Sequence, residues 1–381
     1  MRVLIAIDSF KDSLSASEAA LALREGFLKG NPVAEVNTLP MADGGEGTVQ
    51  SLIDATKGTI VELEVMDPLM RPGKSFYGIS GDGTTAIIEM AAASGLEMLR
   101  PEERNPWYTT TFGTGQLIAD ALEKGCRKFL IGIGGSATND CGAGMAEALG
   151  VRFRNASGEL VSKGGGALSE IHEIDLSGIH PQASAAEILV ACDVDNPLCG
   201  PKGASAVYGP QKGADPDMVQ KLDKNLEHFS RLISSQLAKD VALIPGSGAA
   251  GGLGAGLIAF LDATLMKGFD MVAGMTGLEE KIKNADLVIT GEGKIDGQTR
   301  FGKTPYGVAL LAKKHNKPVI AVGGKIDSGA GLLYDYGINA IFPISDGPLS
   351  LEESIARAAE LLKMTGERIA RTLSISLPLP I

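Results

Sequence analysis

An α/β fold, a doubly wound parallel sheet split in sequence by an inserted second α/β domain, follows from three features of the chain. Short apolar runs alternate with helical patterns at both ends, the grammar of β-α-β units and a parallel sheet. The front supplies two such units and the back three, enough for one open five-stranded sheet. The middle carries a hairpin signal instead, which predicts antiparallel pairing there.

Residues 3–7, Val-Leu-Ile-Ala-Ile, form a continuous apolar run, as a strand buried on both faces requires. A helix follows: Ser15 and Glu18 make an S-x-x-E capping box, and Ala19, Ala22, Leu23 and Phe27 recur at helical spacing. Residues 36–39 read as a second strand and 47–55 as a second helix. Towards the other end come strand 287–290 with helix 308–314, strand 319–322, and strand 340–344 with helix 351–362. In the middle, 75–80 and 84–90 flank Gly81-Asp82-Gly83, the hairpin signal. Residues 129–133 and 188–191 are buried strands by their composition, and 219–237 is an amphipathic helix with Leu222, Leu226, Phe229 and Ile233 on one face. The domain boundaries therefore fall near Val65 and Lys283. Residues 1–65 plus 284–381 make the discontinuous domain and 66–283 the inserted one, with an active site expected in the cleft between them.

Composition narrows the function. At 381 residues the chain can bury two cores, and its 44% apolar and 21% charged residues are those of a globular protein. Fifty glycines are nearly twice ordinary usage, which points to turns after strands where backbone approaches a small ligand. A net charge of −11 argues against a nucleic acid or an anionic membrane as partner. Cys126, Cys141, Cys192 and Cys199 show no C-x-x-C spacing, which fits reduced thiols in a cytoplasmic enzyme. The N-terminal apolar run is too short for a signal peptide, and no stretch of ~18 apolar residues exists.

Several loops stand where an open parallel sheet binds ligands, beyond strand ends. The first is Asp8-Ser9-Phe10-Lys11-Asp12-Ser13, where Lys11 could meet a phosphate or carboxylate, or simply be a solvated turn residue. Met41-Ala42-Asp43-Gly44-Gly45-Glu46-Gly47-Thr48 combines free backbone N–H groups with two acids able to hold Mg²⁺ or orient a hydroxyl; a helix cap would also explain it. Residues 132–140, Gly-Ile-Gly-Gly-Ser-Ala-Thr-Asn-Asp, close a strand and open a helix with donors for an anion, but lack a dinucleotide fingerprint. At 191–198, Asp193 is suited to accept a hydroxyl proton, with Asp195 the competing choice. Residues 201–204 and 208–214 add glycines and two lysines. Residues 247–256 read as a ligand-facing loop that becomes a packed small-residue helix at 257–261, although close packing alone would explain the glycines. Finally, Gly297 to Thr304 fits the Walker A expression. The match is discounted because strand 287–290 ends seven residues before it and Pro305 follows at once.

Together these segments resemble the type-I glycerate kinase family, the bacterial glycerate 2-kinases, along the whole chain. The resemblance is carried by D-S-F-K-D-S-L-S at 8–15, A-D-G-G-E-G-T at 42–48, G-I-G-G-S-A-T-N-D at 132–140, A-C-D-V-D-N-P-L at 191–198, G-P-Q-K-G-A at 209–214, G-A-A-G-G-L-G-A at 248–255 and T-G-E-G-K-I-D at 290–296. It implies a flavodoxin-like domain made from both chain ends and an ATP- and Mg²⁺-dependent kinase acting on D-glycerate. The expected product is 2-phosphoglycerate, in glyoxylate or sugar-acid (glucarate, galactarate) catabolism. It leaves a homo-oligomer open, and it is not a P-loop family. Asp193 is then the expected proton acceptor, because Asp195 sits where the family varies, and Lys11 offsets substrate and phosphate charge. Asp8, Ser9, Asp43, Glu46, Asn139 and Asp296 are expected on the substrate side. Gly134, Gly135 and Ser136, with Gly291, Glu292, Gly293 and Lys294, are expected on the nucleotide side. Asp43 or Asp296 would orient Mg²⁺, whose ligands stay unassigned. Cys141 departs from the glycine usual after Asn-Asp. A kinase for another short hydroxy acid, a 3-phosphoglycerate-forming enzyme, and a non-catalytic sensor of a sugar acid or nucleotide are the competing readings. A dehydrogenase lacks its fingerprint.

Overall fold

The computed structural model of the chain describes residues 1–45 and 47–375. Among them, thirteen strands run in chain order: β1 (Arg2–Ile7), β2 (Glu35–Pro40), β3 (Thr59–Met66), β4 (Pro72–Ile79), β5 (Thr85–Glu89), β6 (Lys128–Gly132), β7 (Arg152–Arg154), β8 (Glu173–Asp175), β9 (Glu187–Ala191), β10 (Thr264–Met266), β11 (Leu287–Ile295), β12 (Val319–Ile326) and β13 (Ala340–Pro343). They belong to two compact units. One comprises residues 1–43, 50–56 and the chain from Val272 onward; the other comprises 44–49 and 57–271.

The sheet of the first unit has the order β2-β1-β11-β12-β13 with every pair parallel. Counted within this sheet the order is 2-1-3-4-5, the flavodoxin-like arrangement. Val3, Ile5 and Ile7 pack with Leu23, Phe27, Leu361 and Ile369. By alternation Leu4 and Ala6 point to the opposite face, and they are buried as well. This two-sided burial is what the uninterrupted apolar run encodes. The expected strand at 287–290 continues to Ile295, because β11 keeps pairing with β12 through Lys294↔Lys325 and Ile295↔Ile326.

The helix Ala16–Gly30 starts at the foreseen capping box: the Glu18 N–H donates to Ser15 Oγ and the Ser15 N–H to Glu18 Oε2. It packs on the helix Ala358–Leu373 with backbones nearly touching, since a Cβ at Gly26 would lie 1.9 Å from the Lys363 carbonyl oxygen. Gly26→Ala must push these helices apart. The expected loss is about 1–3 kcal/mol, read as a lower urea midpoint at unchanged m-value. The helix expected at 351–362 is two helices, Leu351–Ala356 and Ala358–Leu373. They are separated at Arg357, whose φ of −102° and ψ of 8° leave the helical basin.

The second unit's sheet runs β3-β4-β5-β6-β9-β10. The hairpin is present, with β4 antiparallel to β5 through Gly78↔Ile87, and β3 is antiparallel to β4 along its whole length. Residues 59–66 therefore lie in this sheet, and the chain crosses between units before residue 65. Strands β5, β6, β9 and β10 are mutually parallel, and their last residues, Glu89, Gly132, Ala191 and Met266, stand in one register row. Residues 247–256 differ from the expected ligand-facing loop. Residues 249–257 are all buried, the backbone at Ala250, Gly251 and Gly252 is left-handed before the helix that runs on to Leu261, and the Cys141 N–H donates to the Gly251 carbonyl at 3.1 Å. The glycines serve close packing against residues 138–142. No helix among the described residues is long and apolar enough to cross a membrane.

Candidate active site

In the first sheet β1 and β11 lie side by side, but the chain leaves β1 towards β2 and β11 towards β12. This divergence is the topological switch point, where loops splay and leave a crevice beyond the strand ends. Asp8 follows β1 there, and its N–H donates to the Gly291 carbonyl on β11 at 3.0 Å. Its Oδ1 accepts from the Ser9 N–H at 2.7 Å and its Oδ2 from the hydroxyl of Thr304, the first residue of the helix Thr304–Lys314. Glu292 is held in the same way, accepting from the Thr299 hydroxyl at 2.7 Å and the Lys303 ammonium at 3.0 Å. Burial pushes Asp8 up to about 7; the charges of Asp43 and Glu292 add to this, against hydrogen bonds from Thr304 and Ser9. Burial also raises Glu292, opposed by Thr299 and Lys303, with Asp43 adding a smaller upward push. Three predicted acids, Asp8, Asp43 and Glu292, thus feel one another.

The other predicted residues of this unit lie on the neighbouring turns. Lys11 is exposed, and a Cβ at Gly293 would sit 3.4 Å from its backbone nitrogen, so the two loops adjoin. Lys294 binds Asp296 at 2.9 Å and Asp327 at 3.5 Å, while Asp296 Oδ1 also accepts from the Gln298 N–H. Asp296 is thereby committed to its own turn. The Walker A stretch does join a strand to a helix, contrary to expectation, since β11 reaches Ile295 and the helix opens at Thr304. Its lysine and threonine are nevertheless turned to Glu292 and Asp8.

In the second unit the predicted residues gather along the row of strand ends. Gly134 and Gly135, just beyond β6, are exposed, and Gly135 has a φ of +71°. Asp193, just beyond β9, is exposed and accepts from the Gly268 N–H at 3.1 Å. Gly44, with φ of +92°, packs over the same row; a Cβ there would lie 2.6 Å from the Ala191 Cβ and 2.8 Å from the Gly268 Cα. Only glycine allows that crossing. Glu89 ends β5 and accepts from the Val49 N–H at 2.9 Å. It is an acid at a strand end, the same signal that singled out Asp193, and the sequence reading passed over it.

Ser136, Thr138, Asn139 and Asp140 are buried beneath the exposed glycines. Asn139 donates to Ser205 Oγ at 3.0 Å. Asp140 accepts from the Thr110 and Thr111 hydroxyls and from the N–H groups of Thr111, Gly142 and Gly144, a network that fixes the turn. Lys212, only 1% exposed, donates to Ser136 Oγ at 2.6 Å and to the Thr138 carbonyl at 2.7 Å. Burial pushes its ammonium down to about 7, opposed by the charge of Asp140. Glu46 lies outside the described residues. Among the described residues no three His, Cys, Asp or Glu side chains are grouped to hold a metal ion.

Comparison with known proteins agrees with this architecture. A family model described as the glycerate kinase family matches residues 3–374. The chain is 50% identical to the glycerate kinase of Bacillus subtilis (strain 168) over 376 residues, 99% of this chain and 98% of that one. It is 48% identical to the glycerate 2-kinase of Escherichia coli (strain K12) over 377 residues, 99% of each. A crystal structure of a Salmonella typhimurium LT2 protein, provisionally named glycerate kinase 2, aligns with a TM-score of 0.91 at 49% identity, covering 98% of both chains.

Proposed function

The chain belongs to the glycerate kinase family and is a kinase, and on that premise we propose that it transfers the γ-phosphoryl group of ATP to the 2-hydroxyl of D-glycerate, giving 2-phosphoglycerate and ADP. The observation that carries the reading is Asp8. It is a carboxylate at the switch point of a doubly wound sheet, pushed up to about 7 beside Asp43 and Glu292. Acids kept near neutral pH by burial and by one another cluster at functional sites.

Phosphoryl transfer asks for positioning and charge neutralisation more than for covalent chemistry. Asp193 accepts the proton of the 2-hydroxyl. Its orientation is fixed by the Gly268 N–H, which favours one direction of approach. Asp8 accepts a hydrogen bond from substrate, and Lys11 offsets the charge of carboxylate and phosphate. The amides of Gly134 and Gly135, around a left-handed residue, form an anion-binding concavity for the nucleotide phosphates. Gly293, beside the Lys11 loop, lets backbone approach the nucleotide closely, whereas Gly291 is buried against the Val322 carbonyl. Mg²⁺, where it accompanies ATP, would neutralise phosphate charge, and Asp43 would orient its waters. An intracellular role in sugar-acid breakdown fits this chemistry.

The test is an assay with ATP, Mg²⁺ and D-glycerate coupled to enolase without phosphoglycerate mutase. An enolase signal is expected. Consumption of ATP without that signal would move the acceptor to the 3-hydroxyl, and no consumption would remove glycerate as the substrate.

A further inference from the structure

We infer that Lys212 is a positioning residue for nucleotide binding: from beneath, it holds the loop of Gly134–Ser136 in the shape that binds the ATP phosphates. The inference rests on the proposed role of that loop. Ser136 was expected to meet the nucleotide itself, but it is only 7% exposed and its hydroxyl is 2.6 Å from the Lys212 ammonium. The glycines before it are the exposed part. An amide cradle works only if its backbone is held before the anion arrives. Lys212 grips the loop at two points, the Ser136 hydroxyl and the Thr138 carbonyl. The loop is also tied from the side, where Leu96 donates to the Gly135 carbonyl at 2.8 Å.

A lysine used only for packing would be an odd choice, because burying an ammonium is costly and an apolar side chain of similar volume is often at least as stable. Here two of its three N–H donors meet neutral oxygens, and Asp140 supplies the countercharge from within its own network of five hydrogen bonds. The polar atoms beside it are also incompletely used: Thr138 Oγ1 and Asn139 Oδ1 are buried with no hydrogen-bond partner among the described residues. A cation under the loop adds positive potential where phosphate charge would rest. Lys212 ends the short 3₁₀ turn Pro210–Lys212 and precedes Gly213, whose φ of +95° turns the chain away.

Two variants test this, each measured by calorimetric titration with ADP, by KM for ATP and for D-glycerate, and by thermal melting. Lys212→Met keeps the volume and removes the charge and both hydrogen bonds. It should fold, weaken ADP binding and raise the KM for ATP at least tenfold, and leave the KM for glycerate within about threefold. Ser136→Ala removes a single contact and should weaken nucleotide binding about three- to tenfold with little change in melting temperature. If Lys212→Met does not fold, Ser136→Ala decides alone. Folded variants with unaltered ADP affinity, or with equal losses for both substrates, overturn the inference. A parent protein that binds ADP but does not phosphorylate glycerate defeats the proposed function and leaves this inference to the calorimetry. A parent that does not bind ADP defeats the inference itself.

Discussion

Asp193→Asn should lower kcat by about 10²–10⁴-fold, the usual cost of losing a general base, while the KM for ATP stays within a few-fold. That loss is about 3–5 kcal/mol of transition-state stabilisation. The prediction is sharp because the substitution leaves the local geometry little to change. Asp193 accepts from the Gly268 N–H through Oδ1, and an asparagine amide oxygen accepts from the same donor equally well. Ala191 stays in register with Gly132 and Met266, so the strand end that carries residue 193 is unaltered. What disappears is the capacity to take a proton. Asp195→Asn, two residues on and also exposed, is the matched control and should stay within about twofold of the parent. Steady-state kinetics with each substrate varied in turn would separate the two. Near-normal kcat in Asp193→Asn would leave its carboxylate as a cap for the helix Gly268–Thr276 and move the base elsewhere.

The sequence revealed the strands buried on both faces, the hairpin and the amphipathic helices, and left β3 and β10 unread. β1 and β11 are legible because Val3–Ile7 and Leu287–Ile289 offer only apolar side chains to two covered faces. β3 was passed over although Val61, Leu63 and Val65 alternate with Glu62 and Glu64, the pattern of a half-buried strand, here at the edge of its sheet. β10 is three residues long, too short for any periodicity. The site divides along a similar line. Acids after parallel strands can be found locally, because strand ends and turn residues mark them. The mutual influence of Asp8, Asp43 and Glu292 cannot, because it depends on β1 pairing with a strand nearly the whole chain away. Lys212 illustrates the opposite failure. A lysine in a Gly-Pro-Gln-Lys-Gly turn reads as solvated, and only the tertiary fold sinks it under residues 136–138. The glycines of 248–256 carry an ambiguity no local rule resolves, as close packing and a ligand loop demand the same small residues.

Asp8→Asn should make the protein more stable at pH 8 and less active. In the folded chain Asp8 is pushed up to about 7 from an ordinary 3.8, chiefly by burial and then by Asp43. Between these values the folded protein retains a proton that the unfolded chain has released. Stability must therefore fall as pH rises through that window, and the decrement due to Asp8 is complete above about 7, where both states are ionised. Across that window the effect amounts to roughly 4 kcal/mol. Asparagine is neutral throughout and keeps the local bonds: its amide oxygen accepts from the Ser9 N–H, and its NH₂ can donate to a rotated Thr304 hydroxyl. Urea unfolding at pH 4, 6 and 8 should thus show a gap in favour of the variant that opens with pH and almost closes at pH 4. Meanwhile kcat/KM for glycerate should fall roughly 10- to 100-fold, the cost of one charge-assisted hydrogen bond to substrate. A variant whose stability follows pH as the parent's does would mean that Asp8 is not held in its protonated form by the fold. A carboxylate that destabilises its own fold at the pH where it is ionised is difficult to explain by packing, and a bound hydroxyl that needs an acceptor at the switch point would explain it.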